Sequence, residues 1–244
     1  MRGKEGMKSE RKSTTIVGIL FIVATLTSIL GYQVILSPIL NAADYLTAVA
    51  ENDTQVIFGV LIDSINTIVV VVIAVMLYPI FRKYSAASAV GYVSSRIIEA
   101  AILIIGSISV LTLVTLSQEY VQAGTPDASY FLPSGTLLLA VDEWAFLLGP
   151  GVAFAISALI LNSIFYQSKL VPRFISVWGL IGAILLLAAD LLAMFGLSTT
   201  STIFMLLILP IGLNEMVLAV WLIVKGFNSA AIASLSAQTK INKV

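Results

Sequence analysis

The chain of 244 residues contains neither cysteine nor histidine. Without cysteine there is no disulfide, no thiolate nucleophile and no thiol redox centre. Without histidine there is no imidazole base, and a zinc or haem site loses its commonest ligand. Rhomboid-type Ser/His chemistry and zinc-protease chemistry both need that residue, so both are excluded. Charge is scarce as well. Charged residues are 11% of the chain, against about 25% in an average soluble domain. The net charge is zero, which leaves no case for a nucleic-acid partner.

What is there is apolar, at 59% of positions. A spanning helix needs about 20 mostly apolar residues, because the hydrocarbon layer is roughly 30 Å thick. Six stretches qualify: Thr15–Leu36, Gln55–Phe81, Ala86–Leu116, Gly135–Phe165, Ile175–Leu197 and Thr202–Val224. In lipid the backbone must satisfy its own hydrogen bonds, so runs this long are helices. The alternation of a barrel strand is absent. The expected fold is an all-α polytopic membrane bundle of six transmembrane helices. A basic segment over 1–14 precedes the membrane domain over 15–227, and a short tail over 228–244 reads as frayed.

The lysines and arginines orient it. Twelve of the thirteen fall in alternate connections: five before the first run (Arg2, Lys4, Lys8, Arg11, Lys12), Arg82 and Lys83 after the second, Lys169 and Arg173 after the fourth, and Lys225, Lys240 and Lys243 after the sixth. Cytoplasmic loops accumulate such residues, so both termini are expected inside. The first run lacks an Ala-X-Ala cleavage site and reads as a retained signal anchor. The opposite connections carry Asp44, Glu51, Asp53, Glu119 and Asp127 instead. Asn41 is the expected N-cap of a short interfacial helix there, and Thr125-Pro126-Asp127 repeats the pattern. Tyr45, Tyr120, Tyr130 and Phe131 belong at headgroup depth.

Ionisable groups inside a span are costly, about 3 kcal/mol each on insertion scales, and mark sites or internal pairs. The thirteenth cation, Arg96, is one of them. Counted at about 1.5 Å per residue, the others sort into two tiers. Arg96, Glu99, Asn214 and Glu215 form a candidate buried polar site toward the inner side. Asp63, Asn66, Asp142, Glu143 and Asp190 form a candidate outer acidic site. Arg96 and Glu99, three residues apart, share a helix face. They read either as an ion pair that fastens helices, or as a holder of an anionic substrate or proton-relay group. The outer tier has no cation, and its carboxylates cannot all ionise in a low dielectric. Water, protons or a monovalent cation would relieve them; no ligand spacing supports a metal site. Pro150 and Pro210 are expected to interrupt the fourth and sixth spans.

The segments Leu116-Ser-Gln-Glu-Tyr120, Ala145-Phe-Leu-Leu-Gly-Pro150, Leu170-Val-Pro-Arg-Phe-Ile-Ser-Val-Trp-Gly179 and Glu215-Met-Val-Leu-Ala-Val-Trp-Leu-Ile-Val-Lys-Gly-Phe227 resemble the DUF4386 family, from about Ser13 to Phe227. The resemblance implies an uncharacterised polytopic protein of a prokaryotic cytoplasmic membrane, and carries no catalytic residue, cofactor or substrate with it.

Three function classes stay open. Proton-coupled transport of a small solute or ion would use Arg96, Glu99 and Glu215 inside and Asp63, Asp142 and Asp190 outside. A pore through so small a bundle would call for a second copy of the chain beside the lipid bilayer. A non-catalytic regulator or assembly factor needs only a packed bundle with internal ion pairs. An enzyme is disfavoured: an aspartyl dyad is conceivable, but the Gly-X-Gly-Asp signature is missing, since Asp190 follows Ala188-Ala189.

Overall fold

A computed structural model describes residues 2–123 and 128–241, with side chains placed over 11–123 and 130–237. Among the described residues there is no strand. Six helices are long and apolar enough to cross a membrane: Arg11–Leu40, Asp53–Tyr84, Ala86–Ala123, Tyr130–Ser168, Arg173–Met194 and Thr202–Val224. The first four outrun the apolar stretches. In chain order the helices are α1 (Arg2–Ser28), α2 (Ser37–Leu40), α3 (Tyr45–Glu51), α4 (Asp53–Tyr84), α5 (Ala86–Ala123), α6 (Ala128–Phe146), α7 (Phe154–Ser168), α8 (Arg173–Met194), α9 (Thr202–Val224) and α10 (Ser229–Ile241). The helix start expected at Thr125-Pro126-Asp127 lies outside the described residues.

Two spans are widened. Ile29–Leu36 joins α1 to α2 as a π-helical turn, and Leu147–Ala153 joins α6 to α7 in the same way. Each lies at a proline, Pro38 just after the first and Pro150 within the second. A proline ring clashes with the carbonyl four residues back and donates no hydrogen bond. Widening the turn accommodates both defects without ending the helix. Pro150 therefore changes the pitch of its span and does not break it. Pro210 does less: α9 stays α-helical from end to end, so the expected interruption of the sixth span is not found. One missing bond is tolerated inside a long membrane helix.

The chain forms two compact units. The first comprises residues 1–22, 69–98 and 151–244. Within it α7 and α8 run antiparallel in a register set by small residues, with Gly179 seated on the Asn162 side chain and Gly151 on Asp190. Ala155, Ala158, Ala183, Leu186 and Ile211 fill the space between. Gly182 brings α8 against the α9 backbone, where a Cβ would lie 3.0 Å from the Ile211 Cα. Such small-residue contacts replace the hydrophobic drive that lipid removes. Phe81, Tyr92 and Phe165 pack edge-on at 5.5–5.6 Å. The Arg11 guanidinium donates to the last carbonyls of α9, those of Leu222 (3.2 Å), Ile223 (2.7 Å) and Val224 (2.9 Å), which complements the negative end of that helix. Within the tail read as frayed, Ser229–Ile241 form helix α10, with Ala231 and Leu235 buried. The Asn228 side chain accepts from the Ala230 amide (3.0 Å) and caps it.

The second unit comprises residues 23–68 and 99–150. Its core is aliphatic, built on Leu36, Leu46, Val49, Val60, Val110 and Leu113. Gly31 lets the first span touch the second, since a Cβ there would lie 2.8 Å from the Asp63 amide nitrogen. The short helix α3 exists as expected, but its cap is Asp44, which accepts from the Thr47 amide (3.3 Å). Asn41 instead closes α2, donating to the Ser37 carbonyl (2.8 Å). The aromatic residues cluster: Phe131 packs edge-on against both Tyr120 and Tyr130, and the Tyr45 hydroxyl donates to the Leu132 carbonyl (2.9 Å).

Candidate functional site

The second unit holds a small, partly open cavity of about 50 Å³. Its polar lining comes from four spans: Ser28, Tyr32 and Gln33 from the first, Asp63 and Asn66 from α4, Ser107 from α5 and Asp142 from α6. Asp63 and Asn66 are one turn apart on one face of α4. Both widened turns reach it, the first through Tyr32, Gln33 and Leu36, the second through Pro150. Such turns occur frequently at functional sites.

The two carboxylates are held differently. Asp142, 9% exposed, accepts a hydrogen bond from the Tyr32 hydroxyl (3.2 Å). The Tyr32 ring is fixed by stacking on Phe146 at 5.5 Å. Gly106 clears the other side: a Cβ there would lie 3.1 Å from the Asp142 Oδ1. Asp63, 8% exposed, has no hydrogen-bond partner for its carboxylate among the described residues, and neither has the amide of Asn66, also 8% exposed. Among the described residues no lysine or arginine lines the cavity. A carboxylate removed from water without a cation or donors is strongly disfavoured in its charged form. A space large enough for a water or small ion beside it supplies what the protein does not.

The remaining candidates are distributed elsewhere. Glu143 is exposed on α6 beside half-exposed Trp144 and does not line the cavity. Asp190, 1% exposed, belongs to the first unit, against Gly151. Its Oδ2 has no partner among the described residues. The outer acidic residues thus divide between a cavity triad (Asp63, Asn66, Asp142) and two outliers. Similar depth along their helices did not imply convergence, because depth carries no information about helix rotation.

Of the inner candidates, Arg96 and Glu215 meet across α5 and α9, Nη2 to Oε1 at 3.9 Å. The Arg96 guanidinium lies over the Phe154 ring at 4.7 Å and near Tyr92 at 5.8 Å. Its apolar stem and planar head are covered by aromatic faces, which favours a cation in a dry place. Glu99, 3% exposed, follows one turn along α5. Asn214 turns away to other work: its amide donates to the Ile175 carbonyl (2.8 Å) and ties α9 to the first turn of α8.

A family model described as a domain of unknown function, DUF4386, matches residues 16–226. The chain belongs to the DUF4386 family. That match reaches all six spans, as the resemblance of the four motifs implied. No curated protein and no solved structure matches the chain.

Sequence reading missed Tyr32, Gln33, Gly106 and Ser107 in the DUF4386 cavity. A tyrosine in an apolar run reads as packing, and its role depends on Asp142, which lies 110 positions away. The faint signal was the adjacent polar pair Tyr32-Gln33 inside the last turns of the first apolar run.

Proposed function

We propose that this protein is a multi-pass protein of the prokaryotic cytoplasmic membrane, with both termini inside, that binds a proton or monovalent cation at the Asp63–Asn66–Asp142 cavity and carries it in coupled transport. The observation that carries the reading is Asp63, a buried carboxylate beside a small cavity with no cation among the described residues that line it. Ionisable groups buried in spans ordinarily mark ion or proton pathways. Oxygen and amide donors at that scale suit a proton or a small monovalent ion, whereas a hard divalent ion needs six or more oxygens.

The test is flux into liposomes containing purified protein, driven by a proton, sodium or potassium gradient, with Asp63→Asn alongside. Wild type is expected to show one selective flux. Asp63→Asn is expected to abolish it while melting at an equal or higher temperature, because a neutral isostere removes a charge the fold leaves unpaired. Absence of flux and of any cation-dependent or pH-dependent melting shift in wild type would sink the proposal.

A second reading, a non-catalytic membrane regulator or assembly factor, draws on the other polar cluster. Arg96 is packed between aromatic rings and set against Glu215, as suits a group that fastens helices together.

A further inference from the structure

The first unit holds two adjoining grooves of opposite character. One, of about 600 Å³, is lined by Lys169 and Arg173 from the turn between α7 and α8, and by Lys225, Phe227 and Asn228 after α9. The other, of about 410 Å³, runs along α9 past Met216, Val217, Val220 and Val224, and its lining is almost wholly apolar. Trp221 and Lys225 line both.

We infer that this pair of grooves is a binding site for one molecule of anionic phospholipid, its phosphate among Lys169, Arg173 and Lys225 and an acyl chain along Val217, Val220 and Val224. This inference stands apart from the cavity in the second unit and does not depend on it.

Charge and shape both require an amphipathic anion. Lys169, Arg173 and Lys225 are exposed, and none forms an ion pair with a carboxylate among the described residues. Arg173 is held over the Tyr166 ring at 5.2 Å. The groove is also lined by the first residues of α8 and α10, Arg173 and Ser229, at the positive ends of those helices. Basic recesses between helix ends at a membrane surface recognise phosphate headgroups, each cation contributing about fivefold in affinity. A soluble anion such as inorganic phosphate would use only this half. The apolar groove begins where the basic one ends, at the Trp221 indole, and valines spaced three or four residues apart give it a stripe parallel to the helix. An indole is at home between chain and headgroup.

The scaffold is built rather than incidental. The two turns that carry the cations are joined, the Asn228 amide donating to the Leu170 carbonyl (2.9 Å) over buried Leu170 and Val171. Lys169 itself sits in the left-handed region at φ 57°, a conformation that favours glycine. The chain keeps a lysine there, and that lysine lines the groove.

The test is lipid titration of the purified full chain in mild detergent, followed by melting temperature and by native mass spectrometry, using phosphatidylglycerol, phosphatidylcholine and inorganic phosphate. Phosphatidylglycerol is expected to bind at least about tenfold more tightly than phosphatidylcholine and to raise the melting temperature, while inorganic phosphate does neither at the same concentration. The triple variant Lys169→Gln, Arg173→Gln, Lys225→Gln should lose that preference and still bind phosphatidylcholine like wild type. Val220→Trp, which fills the apolar groove, should weaken both lipids. Should the triple variant fail to fold, Val220→Trp and the charge-retaining Arg173→Lys, Lys225→Arg variant, which should keep the preference, carry the test. Equal binding of the two lipids by wild type, a preference that survives loss of the three cations, or an equal effect of inorganic phosphate would overturn the inference.

Discussion

At the scale of single residues, glycines show how tightly the helices are fitted. Gly151 and Gly212 both lie in helical segments, yet they face different surroundings. A Cβ at Gly151 would lie 2.6 Å from the Asp190 Cγ, whereas one at Gly212 meets nothing within 4 Å. Alanine is favoured over glycine in a helix by about 0.5–1 kcal/mol when nothing obstructs it. Gly212→Ala should therefore raise stability by roughly that amount. Gly151→Ala must displace a buried carboxylate that already lacks a partner on Oδ2, and overpacking of this kind costs about 1–3 kcal/mol. Thermal melts of the two variants in the same detergent decide it, and equal shifts would show that the Gly151–Asp190 contact is loose.

At the scale of elements, the turn between α7 and α8 carries two demands that conflict. Lys169 has the positive φ of a helix terminator, and a left-handed L-residue is disfavoured by about 1–2 kcal/mol. Lys169→Gly removes that strain but loosens the unfolded chain, so a net gain of about 0.5–1 kcal/mol is expected in detergent alone. The same change deletes a cation from the basic groove, so the preference for phosphatidylglycerol should fall. Measured together, the two effects separate backbone strain from ligand recognition: a loss of stability without lipid would show that the lysine side chain supports the turn.

The spans themselves were legible because their signal is additive. Six apolar runs exceed the length a bilayer requires, and no local detail can cancel that. Helix ends and pitch were less legible. Asp44 rather than Asn41 caps α3, since both residues suit a cap and only the path of the preceding turn selects one. Pro150 widens its span while Pro210 leaves α9 regular. The same residue type gives two outcomes, because the packing around each helix decides how its missing bond is absorbed.

At the scale of the whole molecule, orientation is the open proposal, and the absence of cysteine makes it simple to test. Single cysteines placed at Ser229, at Asn41 and at Thr200 would report by membrane-impermeant labelling on an otherwise unreactive chain. Asn41→Cys and Thr200→Cys should label from outside intact cells, and Ser229→Cys only after the membrane is opened. Labelling of Ser229→Cys from outside would reverse the topology that the twelve sided cations suggest.

By itself the sequence determined the class of solvent and the six spans, because hydrophobicity acts through sums over many residues. It also determined what chemistry is missing, since an absent histidine or cysteine cannot be restored by folding. Only the tertiary structure decided which polar residues meet. Asp63, Asn66 and Asp142 line one cavity with Tyr32, Arg96 faces Glu215, Glu143 stays outside and Asp190 packs on Gly151. That choice rests on the rotation and register of each helix, which are set by close contacts between glycines and their neighbours far apart in the chain.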